Sequence, residues 1–380
     1  MGTGWREEKG GLSEMLELNK IYNMDCLEGM KLLDDNSVDS IVTDPPYELG
    51  FMGKKWDSTG IAYNVDLWKE CLRVLKPGGH LLAFGGTRTY HRMTCAIEDA
   101  GFEIRDCIQW LYGSGFPKSH NISKAIDKKL GAEREKLGIA PTTRAKTDVD
   151  NQILNWGGHG KGKIHYVTKP ATKQAEQWDG WGTALKPANE PIVLARKPLS
   201  EKTIAENVMK WGTGGLNIDG CRIGTEVRNN PQAGFIRRGR TDEEVFLGTD
   251  KNRPEGTVEV IGRFPTNVIL DEEAGRMLDE QQEGASRFFY CAKASRRERG
   301  EGNNHPTVKP LSLIKYLITL VTPPGGICLD PFEGSGTHAL ACKELGFNYI
   351  GFELNPEYCK MAEKRIESYL MQQTIVEYVE

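Results

Sequence analysis

The sequence has 380 residues, a length at which we expect a core domain with a sizeable insertion or a second module. Hydrophobic residues make up 38% and charged residues 27%, which is typical of an ordinary globular protein and excludes a fibrous or disordered chain. With 49 Lys and Arg against 53 Asp and Glu, the formal net charge is −4. This charge excludes a protein that grips polyanions by bulk charge alone.

Membrane, secretion and metal signals are weak in this sequence. The most apolar stretch, residues 311–321, is interrupted by Lys315 and falls short of the roughly 18 residues that a membrane helix needs. The polar start, residues 1–10, predicts no signal peptide. The nine Cys form no Cys-x-x-Cys pair, which argues against a zinc ribbon and a disulfide framework. We therefore expect a reduced, cytoplasmic protein without a metal.

The first block of α/β pattern begins with a short strand at residues 37–43. This strand ends at Asp44-Pro45-Pro46-Tyr47, because prolines cannot continue a central ladder. Apolar residues at helical spacing predict a helix over residues 65–75, which Pro77-Gly78-Gly79 ends. The next predicted elements are a buried strand at residues 80–84, a helix that closes at residues 96–100 and an alternating strand at residues 103–111.

The second block runs from residue 311 to the C-terminus. Its predicted elements are a helix at 311–321, a strand at 327–329, a helix at 337–345, a strand at 349–353 and a helix from 356 onward. Asn355 is a suitable N-cap for the last helix. Alternating strands and helices with short turns predict a parallel, doubly wound sheet.

The segments between the blocks, residues 120–186 and 201–302, are rich in Gly, Lys, Arg and Asn and show weak periodicity. Such long stretches usually form functional loops or an inserted module. Residues 191–197 interrupt them with a strand-like pattern, and we assign this strand to the sheet.

A glycine-rich segment, Asp330-Pro331-Phe332-Glu333-Gly334-Ser335-Gly336-Thr337, lies at a predicted strand end and opens a helix. Its glycines would let a ligand approach the backbone N–H groups. Gly334, Gly336 and Ala339 fit the dinucleotide fingerprint, with Glu353 at the next strand end to hold ribose hydroxyls. Asp330 and Glu333 would repel a pyrophosphate but suit a cofactor with a cationic amino-acid end. A tight turn with no ligand remains an alternative.

Asp44-Pro45-Pro46-Tyr47 suits the methylation of an exocyclic base amine. Such an amine is a poor nucleophile because its lone pair is delocalised into the ring, so an enzyme must accept its hydrogens as it becomes tetrahedral. The Asp44 carboxylate and the Pro45 carbonyl could accept them, and Tyr47 could stack on the base. Consecutive prolines stiffen the segment. A plain strand-to-loop turn is the alternative for the motif in isolation.

Four motifs together resemble the S-adenosylmethionine-dependent amino-methyltransferases of DNA. They are Asp44-Pro45-Pro46-Tyr47, the loop at residues 330–337, Gly351-Phe352-Glu353-Leu354-Asn355-Pro356 and His305-Pro306-Thr307-Val308-Lys309-Pro310. The catalytic motif precedes the cofactor motifs, which is similar to the β group of these enzymes. The resemblance covers about residues 15–118, 187–199 and 303–370.

The resemblance implies an α/β fold with a doubly wound, mostly parallel, Rossmann-like methyltransferase sheet. The sheet would be circularly permuted and would carry an inserted target-recognition region. The implied divisions are a catalytic half at residues 15–120, an insertion at 121–186, a returning strand at 187–200, a DNA-binding target-recognition region at 201–302 and a cofactor-binding half at 303–370.

The resemblance also implies a binding site for S-adenosyl-L-methionine. Its residues would be Asp25, Thr307, Lys309, Asp330, Phe332, Gly334, Ser335, Gly336, Thr337 and Glu353. Asp25 matches the position that contacts the adenine and Glu353 the position that binds the ribose. Thr307 and Lys309 belong to the segment that wraps the methionine end. Without the motif, Lys309 would be read as a surface lysine with its stem on Pro310.

The implied reaction is the direct in-line transfer of a methyl group to an exocyclic amine of DNA, most readily N6 of adenine. Catalysis would rest on Asp44, Pro45, Pro46 and Tyr47. The N4-cytosine members often carry Ser in place of Asp44, so cytosine remains an alternative. No covalent intermediate is needed, and no Pro-Cys pair occurs in the sequence. The target base would be rotated out of the duplex into a pocket between Tyr47 and the cofactor.

DNA contacts are expected from local basic segments. Residues 287–299 and 228–240 are basic, and the first of them interleaves Phe288, Phe289 and Tyr290. The candidates are Lys54, Lys55, Arg237, Arg238, Arg287, Lys293, Arg296 and Arg297. A solvated charged face is the alternative for these segments, and ordinary packing is the alternative for Trp56.

The expected partner is double-stranded DNA, with a homodimer suggested because dimers are common in the β group. The expected setting is a prokaryotic cytoplasm, nucleoid-associated or phage-encoded. Three other functions stay open at this point. They are an NAD-type oxidoreductase, a methyltransferase for RNA or protein glutamine, and a non-catalytic DNA-binding regulator. The oxidoreductase and the regulator leave Asp44 to Tyr47 without a role.

Overall fold

The computed structural model describes residues 16–49, 55–113, 115, 119–139, 166–229, 259–292 and 308–377. The chain divides into two compact units, one of residues 1–114 and 189–380 and the other of residues 115–188. The second unit overlaps the insertion expected at residues 121–186. Among the described residues, no helix is both long enough and apolar enough to span a bilayer.

The strands are short and lie mostly in the first unit. In chain order they are β1 (Lys20–Tyr22), β2 (Val38–Thr43), β3 (Leu75–Phe84), β4 (Glu103–Leu111), β5 (Lys136–Ile139), β6 (Tyr166–Thr168), β7 (Asn189–Arg196), β8 (Ile223–Asn229), β9 (Glu259–Arg263), β10 (Val268–Asp271), β11 (Tyr290–Ala292), β12 (Ile327–Asp330) and β13 (Asn348–Phe352).

The helices alternate with these strands. They are α1 (Cys26–Met30), α2 (Val65–Val74), α3 (Tyr90–Asp99), α4 (Ile122–Lys129), α5 (Lys173–Gln177), α6 (Ile204–Trp211), α7 (Glu272–Gln281), α8 (Leu311–Val321), α9 (Thr337–Leu345) and α10 (Pro356–Glu377). The predicted bounds of β4, α8 and α9 are confirmed.

The first unit is built on a nine-stranded sheet in the order β1-β13-β12-β2-β3-β7-β4-β10-β11. Strand β7 is antiparallel to both β3 and β4, and the other neighbours are parallel. The predicted doubly wound, mostly parallel sheet is therefore confirmed, and so is the return of residues 191–197 to it. The motif order and the strand order together make the sheet circularly permuted.

Helices cover the sheet on both faces. Every residue of β2 is buried, as expected of a central parallel strand with two covered faces. Ile41 packs in a cluster with Leu67 and Trp68 of α2, whereas its neighbour Val42 packs in a cluster with Leu313 of α8. This alternation is the period of a strand, and it places one apolar core on each side of the sheet.

Strand β3 begins earlier than predicted, at Leu75 instead of residue 80. The register between β2 and β3 shifts between the pairs Val38–Leu75 and Ser40–His80, so a bulge takes up Pro77-Gly78-Gly79. Proline is tolerated in a sheet at such a bulge. The freed Pro77 carbonyl accepts hydrogen bonds from Asn207 and Thr213, which is why the strand can continue through it.

Part of residues 201–302 belongs to the main sheet, which the sequence-based division did not predict. Strand β10 pairs with β4, and β11 pairs with β10, extending the parallel edge by two strands. The apolar run Val268-Ile269-Leu270 forms β10, but it is too short to stand out from sequence. Asp271 then caps α7 by accepting the Ala274 N–H at 2.6 Å.

Candidate functional site

The predicted catalytic motif and the predicted cofactor loop lie at the carboxyl ends of adjacent strands. Strands β2 and β12 pair in parallel through Ser40–Cys328 and Ile41–Leu329, so both end at the same edge of the sheet. Thr43, the last residue of β2, donates a 2.6 Å hydrogen bond from Oγ1 to Asp330 Oδ1. Asp44 follows directly, and the two motifs therefore share one edge.

Asp44 contacts the buried side chain of Lys309. Lys309 Nζ lies 2.6 Å from Asp44 Oδ2 and 3.4 Å from Glu190 Oε2. Glu190 reaches this edge because β7 runs antiparallel to β3, so that the start of β7 meets the carboxyl end of β3. We call Asp44, Glu190 and Lys309 the catalytic-motif cluster.

Lys309 is only 8% exposed, so the alternative of a surface lysine is wrong. Burial by itself would lower the pKa of Lys309, but the Asp44 and Glu190 carboxylates outweigh it and the pKa is raised. The ammonium group is thus held in its charged form. With two carboxylates and one ammonium, the catalytic-motif cluster has a formal net charge of −1.

Asp44 keeps one oxygen free in this arrangement. Its Oδ2 accepts from Lys309, whereas its Oδ1 is buried and has no hydrogen-bond partner among the described residues. An orphaned carboxylate oxygen in a protein interior is costly, and it usually marks a position that a ligand completes.

Tyr47 is fixed at both its backbone and its hydroxyl. Its hydroxyl donates to Glu190 Oε2 at 2.7 Å, and its carbonyl accepts from Thr89 Oγ1 at 2.7 Å. Burial, with Asp44 and Glu190 nearby, raises the pKa of Tyr47 well above its usual value, so the phenol remains a donor. The next residue, Glu48, has a left-handed φ of 55°, which turns the chain sharply away from the motif.

A small pocket, with room for about one water molecule, lies against this motif. Pro46 and Tyr47 form one wall, and Tyr63, Gly86 and Tyr90 are among the residues opposite. An added Cβ at Gly86 would lie 3.3 Å from the Tyr47 ring, so a side chain there would crowd the pocket.

The predicted cofactor loop turns tightly between β12 and α9. Gly334 and Gly336 have left-handed φ values of 58° and 79°. The Gly334 N–H donates to Glu353 Oε2 at 2.9 Å, which joins the loop to the end of β13. Phe332 is half-buried, and its N–H donates to Asp330.

Arg365 of α10, which sequence reasoning missed, holds the far side of the loop. This buried guanidinium donates to the Ser335 carbonyl at 3.0 Å and to Thr337 Oγ1 at 2.8 Å. Gly336 also lies against α10, because an added Cβ would come within 2.7 Å of Ala362 Cβ. The loop is therefore braced by its packing on this helix.

Asp25 and Glu353 follow the carboxyl ends of two neighbouring strands, β1 and β13. Asp25 caps α1 through Leu27 N–H and Glu28 N–H, and Glu353 Oε1 accepts from Asn355 N–H at 2.7 Å. Strand β1 pairs with β13, which places these two acids at the same edge. Both carboxylates are thus oriented by local backbone donors.

Glu333 does not face a ligand, contrary to the sequence-based expectation. Its Oε2 lies 2.9 Å from His338 Nδ1, and its Oε1 accepts the Ala339 N–H at 2.9 Å. The Glu333 carboxylate raises the pKa of His338 well above its usual range despite the burial of that imidazole. We call Asp330, Glu333 and His338 the loop cluster.

Asp330 is buried beside this pair. Burial and the nearby Glu333 carboxylate raise the pKa of Asp330 from 3.8 to about 8. The sequence predicts that Asp330 and Glu333 present two negative charges to a ligand. The raised pKa of Asp330 means that they do not do so at neutral pH.

Some of these buried groups could also hold a metal ion. Cys328, His338 and Cys342 form one such group, and the loop cluster forms another, with ligand atoms in each group within 4.8 Å of one another. Neither group is evident from sequence, because their ligands come from a strand, a loop and a helix.

Most of the predicted DNA contacts lie outside the described residues. These are Lys54, Arg237, Arg238, Lys293, Arg296, Arg297 and the side chain of Lys55. Thr307, which was predicted to bind the cofactor, also lies outside the described residues. Arg287 is described, and its guanidinium lies 5.2 Å from the Phe288 ring centroid.

Sequence reasoning missed Glu190, which the structure places in the catalytic-motif cluster. Its position at the start of a strand, between Asn189 and Pro191, gave a weak signal. The decisive information is the antiparallel direction of β7, which sequence pattern alone does not give.

Comparison with known proteins identifies the family. Residues 38–364 match the N6/N4 family model described as DNA methylase. The chain is 24% identical over 389 aligned positions to type II methyltransferase M.HindIII of Haemophilus influenzae, covering 91% of this chain and 94% of that protein. It is 37% identical over 369 positions to type II methyltransferase M.HinfI of Haemophilus influenzae, covering 92% and 68%.

A solved structure, the M1.HpyAVI–SAM complex, aligns over 91% of this chain and 98% of that one, with 21% identity and a TM-score of 0.39. The family match covers most of the chain, from the strand before the catalytic motif to the last helix. The chain therefore belongs to the family of N6/N4 DNA methylases, whose cofactor is S-adenosyl-L-methionine.

Proposed function

We propose that the protein transfers a methyl group from S-adenosyl-L-methionine to the N6 amine of adenine at a specific DNA sequence. The main support for this proposal is that Asp44 Oδ1, at the edge of the sheet, is buried and has no hydrogen-bond partner among the described residues. A carboxylate oxygen left free in this way suits a ligand that brings its own N–H donor, as an exocyclic amine does.

The proposed role of Asp44 is to hold a hydrogen of the amine as its nitrogen becomes tetrahedral. The Pro45 carbonyl would accept the second hydrogen, and Pro46 would keep the segment stiff. Lys309 would fix the direction of the Asp44 carboxylate through Oδ2, so that Oδ1 points to the substrate. The in-line transfer needs no nucleophile from the protein.

Tyr47 is proposed to stack on a base that has been rotated out of the duplex. The hydrogen bond from its hydroxyl to Glu190 and the Thr89 bond to its carbonyl hold the ring in one orientation. Because the ring is already fixed, little conformational entropy of the Tyr47 side chain is lost when the base binds.

The residues of the glycine loop fit the cofactor. Gly334 has no side chain and would let a ligand approach the backbone closely, and the oriented carboxylates of Glu353 and Asp25 suit ribose hydroxyls and an adenine amine. The formal net charge of −1 in the catalytic-motif cluster also suits a cationic sulfonium nearby. The cofactor supplies the methyl group; Phe332, Ser335 and Thr337 are proposed to line its site.

Adenine is favoured over cytosine because Asp occupies position 44, where the N4-cytosine members often carry Ser. The rest of the proposed setting is a prokaryotic cytoplasm, in keeping with nine free cysteines, and a duplex DNA substrate. RNA or protein glutamine is a weaker candidate, because the family is one of DNA methylases.

The test is the substitution Asp44→Ala, measured with tritiated methyl donor on DNA. We expect methyl transfer to fall about 100- to 1,000-fold, the loss typical when one group that stabilises the transition state is removed. Cofactor affinity by calorimetry should remain within a few-fold. Asp34→Ala, at an exposed acid near β2, is the matched control and should retain full activity.

Retained transfer by Asp44→Ala would contradict the proposed chemistry. Mapping modified bases at single-base resolution in DNA from cells that express the protein would identify the target. If the map showed N4-methylcytosine and no N6-methyladenine, the target base would be cytosine and not adenine.

A further inference from the structure

The unit at residues 115–188 differs sharply in charge from the rest of the chain. It contains 13 Lys and Arg but only 7 Asp and Glu, a formal net charge of +6, in a chain whose total is −4. The remaining residues therefore sum to −10. This unit therefore has a net positive charge and the rest of the chain a net negative one, whereas the sequence-based DNA-binding candidates lie outside this unit.

Several lysines in the described part of this unit are exposed. Lys124, Lys128 and Lys129 of α4 are all exposed, and so are Lys169 and Lys173 near α5. In the described part of the unit, none of these five forms an ion pair with a carboxylate. Exposed lysines without acidic partners are available to bind phosphates.

The one acid of α4 is turned inward and neutralised. Asp127 is buried, and its Oδ2 lies 2.7 Å from Arg134 Nη1. Its two oxygens also accept from the N–H groups of Ala171 and Thr172 and from the Thr172 hydroxyl. This buried pair ties α4 to the segment before α5. It leaves the outer face of α4 with positive charge only.

Two tryptophans are exposed on the same unit. Trp178 is 38% exposed and Trp181 is 58% exposed, although large aromatic side chains are usually buried. Their rings meet edge to face with centroids 5.1 Å apart. The Trp181 carbonyl accepts the N–H of Ile122, the first residue of α4. The rings therefore lie near the end of the helix that carries Lys124.

We infer that the unit at residues 115–188 is a DNA-binding module. Its exposed lysines bind backbone phosphates, and Trp178 and Trp181 stack on an unpaired base. The inference rests on the proposed function, in which rotating a base out of the duplex leaves bases without partners. Charge and aromatic exposure occur together here, and this combination fits a nucleic acid better than an acidic protein surface.

The electrostatic part is tested by the salt dependence of binding. The probe is a fluorescently labelled DNA duplex, titrated with the full-length protein at several salt concentrations. Lys124→Gln with Lys128→Gln removes two charges spaced by four residues on α4. Each lost phosphate contact should reduce the slope of log affinity against log salt by about 0.9, so the slope should fall by roughly 2.

The matched control removes the same number of charges at the same spacing from the other unit. Lys360 and Lys364 are both exposed on α10. Their double Gln variant should keep the wild-type slope. Equal slopes for the two double variants would overturn the phosphate contact.

The stacking part is tested by Trp181→Ala on a labelled single strand and on a duplex with one unpaired base. Affinity should fall about 5- to 150-fold, the range for one stacked base, with no change in the salt slope. Leu185→Ala, at a side chain 91% exposed in the same unit, is the control and should bind as the wild type does. Wild-type affinity for Trp181→Ala would overturn the stacking role.

The wild-type methyl-transfer assay separates the two levels of proposal. If the wild type neither binds nor methylates DNA, the proposed function fails. If it methylates DNA while all the variants bind like the wild type, only the inference about this unit fails. Thermal melting of each variant ensures that a loss of binding is not a loss of folding.

Discussion

The catalytic-motif cluster is half-buried and the loop cluster is fully buried, and the carboxylate oxygens of the two clusters have different partners. In the catalytic-motif cluster, Asp44 Oδ1 has no hydrogen-bond partner among the described residues. In the loop cluster, both oxygens of Glu333 are occupied, by His338 and by the Ala339 N–H. A carboxylate with a free oxygen is suited to bind a substrate, whereas a carboxylate whose oxygens are both hydrogen-bonded is suited to a structural role.

The largest effect on stability is expected from the closed cluster. Glu333→Ala would leave the buried His338 without its counter-ion, and breaking a buried pair by removing one partner costs about 3–5 kcal/mol. Urea denaturation should show this loss in the free energy of unfolding. Asp66→Ala, which breaks the exposed pair with Lys69, is the control and should change little. If the urea midpoint of Glu333→Ala equalled that of the wild type, Glu333 would not have the structural role inferred from its two occupied oxygens.

Lys309→Met is the next test, because it removes the cation from the open cluster. Asp44 and Glu190 would then repel each other, and we expect methyl transfer to fall about 100-fold. Cofactor affinity should change little. A weaker cofactor affinity with an unchanged turnover rate would instead assign Lys309 to the cofactor, as the sequence motif implied. Lys202→Met, at an exposed lysine, is the control and should keep the wild-type rate.

The stability of the loop cluster should also depend on pH. Folding raises the pKa of Asp330 from 3.8 to about 8, so the folded state holds a proton that the unfolded state releases. Its contribution is complete below about pH 4 and is lost as the pH rises towards 8. The raised pKa of His338 acts in the same direction. Asp330→Asn should therefore lose less stability than the wild type between pH 5 and pH 8, measured by urea denaturation; parallel curves would contradict this linkage.

The smallest effect is expected from Tyr47→Phe. This change removes the hydrogen bond to Glu190 but keeps the ring, so the rate of methyl transfer should fall about tenfold or less. Tyr47→Ala removes the ring as well and should cost considerably more. Equal rates for the two variants would show that stacking does not contribute.

The meeting of the two motifs could be predicted from sequence. Asp44 and Asp330 each follow an apolar run, and the carboxyl ends of parallel strands share one edge of a sheet. The bounds of α8, α9 and β4 could also be predicted, because a Pro or Gly lies within two residues after the end of each.

The partners of the charged side chains could not be predicted in this way. Lys309 and Glu190 meet only because β7 inserts between β3 and β4 in the opposite direction. Glu333 turns inward because Gly351 leaves it room, since an added Cβ there would lie 2.5 Å from Glu333 Oε2. A glycine within a strand was the available signal.

The pairing of β2 with β12 has a consequence for the order in which the protein can form during synthesis. Ile41 must wait for Leu329, nearly 290 residues later, before its strand has both neighbours. At roughly 5–20 residues per second, a ribosome needs about 15–60 s to deliver that partner. Until then the apolar strand at the centre of the sheet has one edge open. The permuted order thus makes the nascent chain depend on protection from aggregation while its second half is being translated.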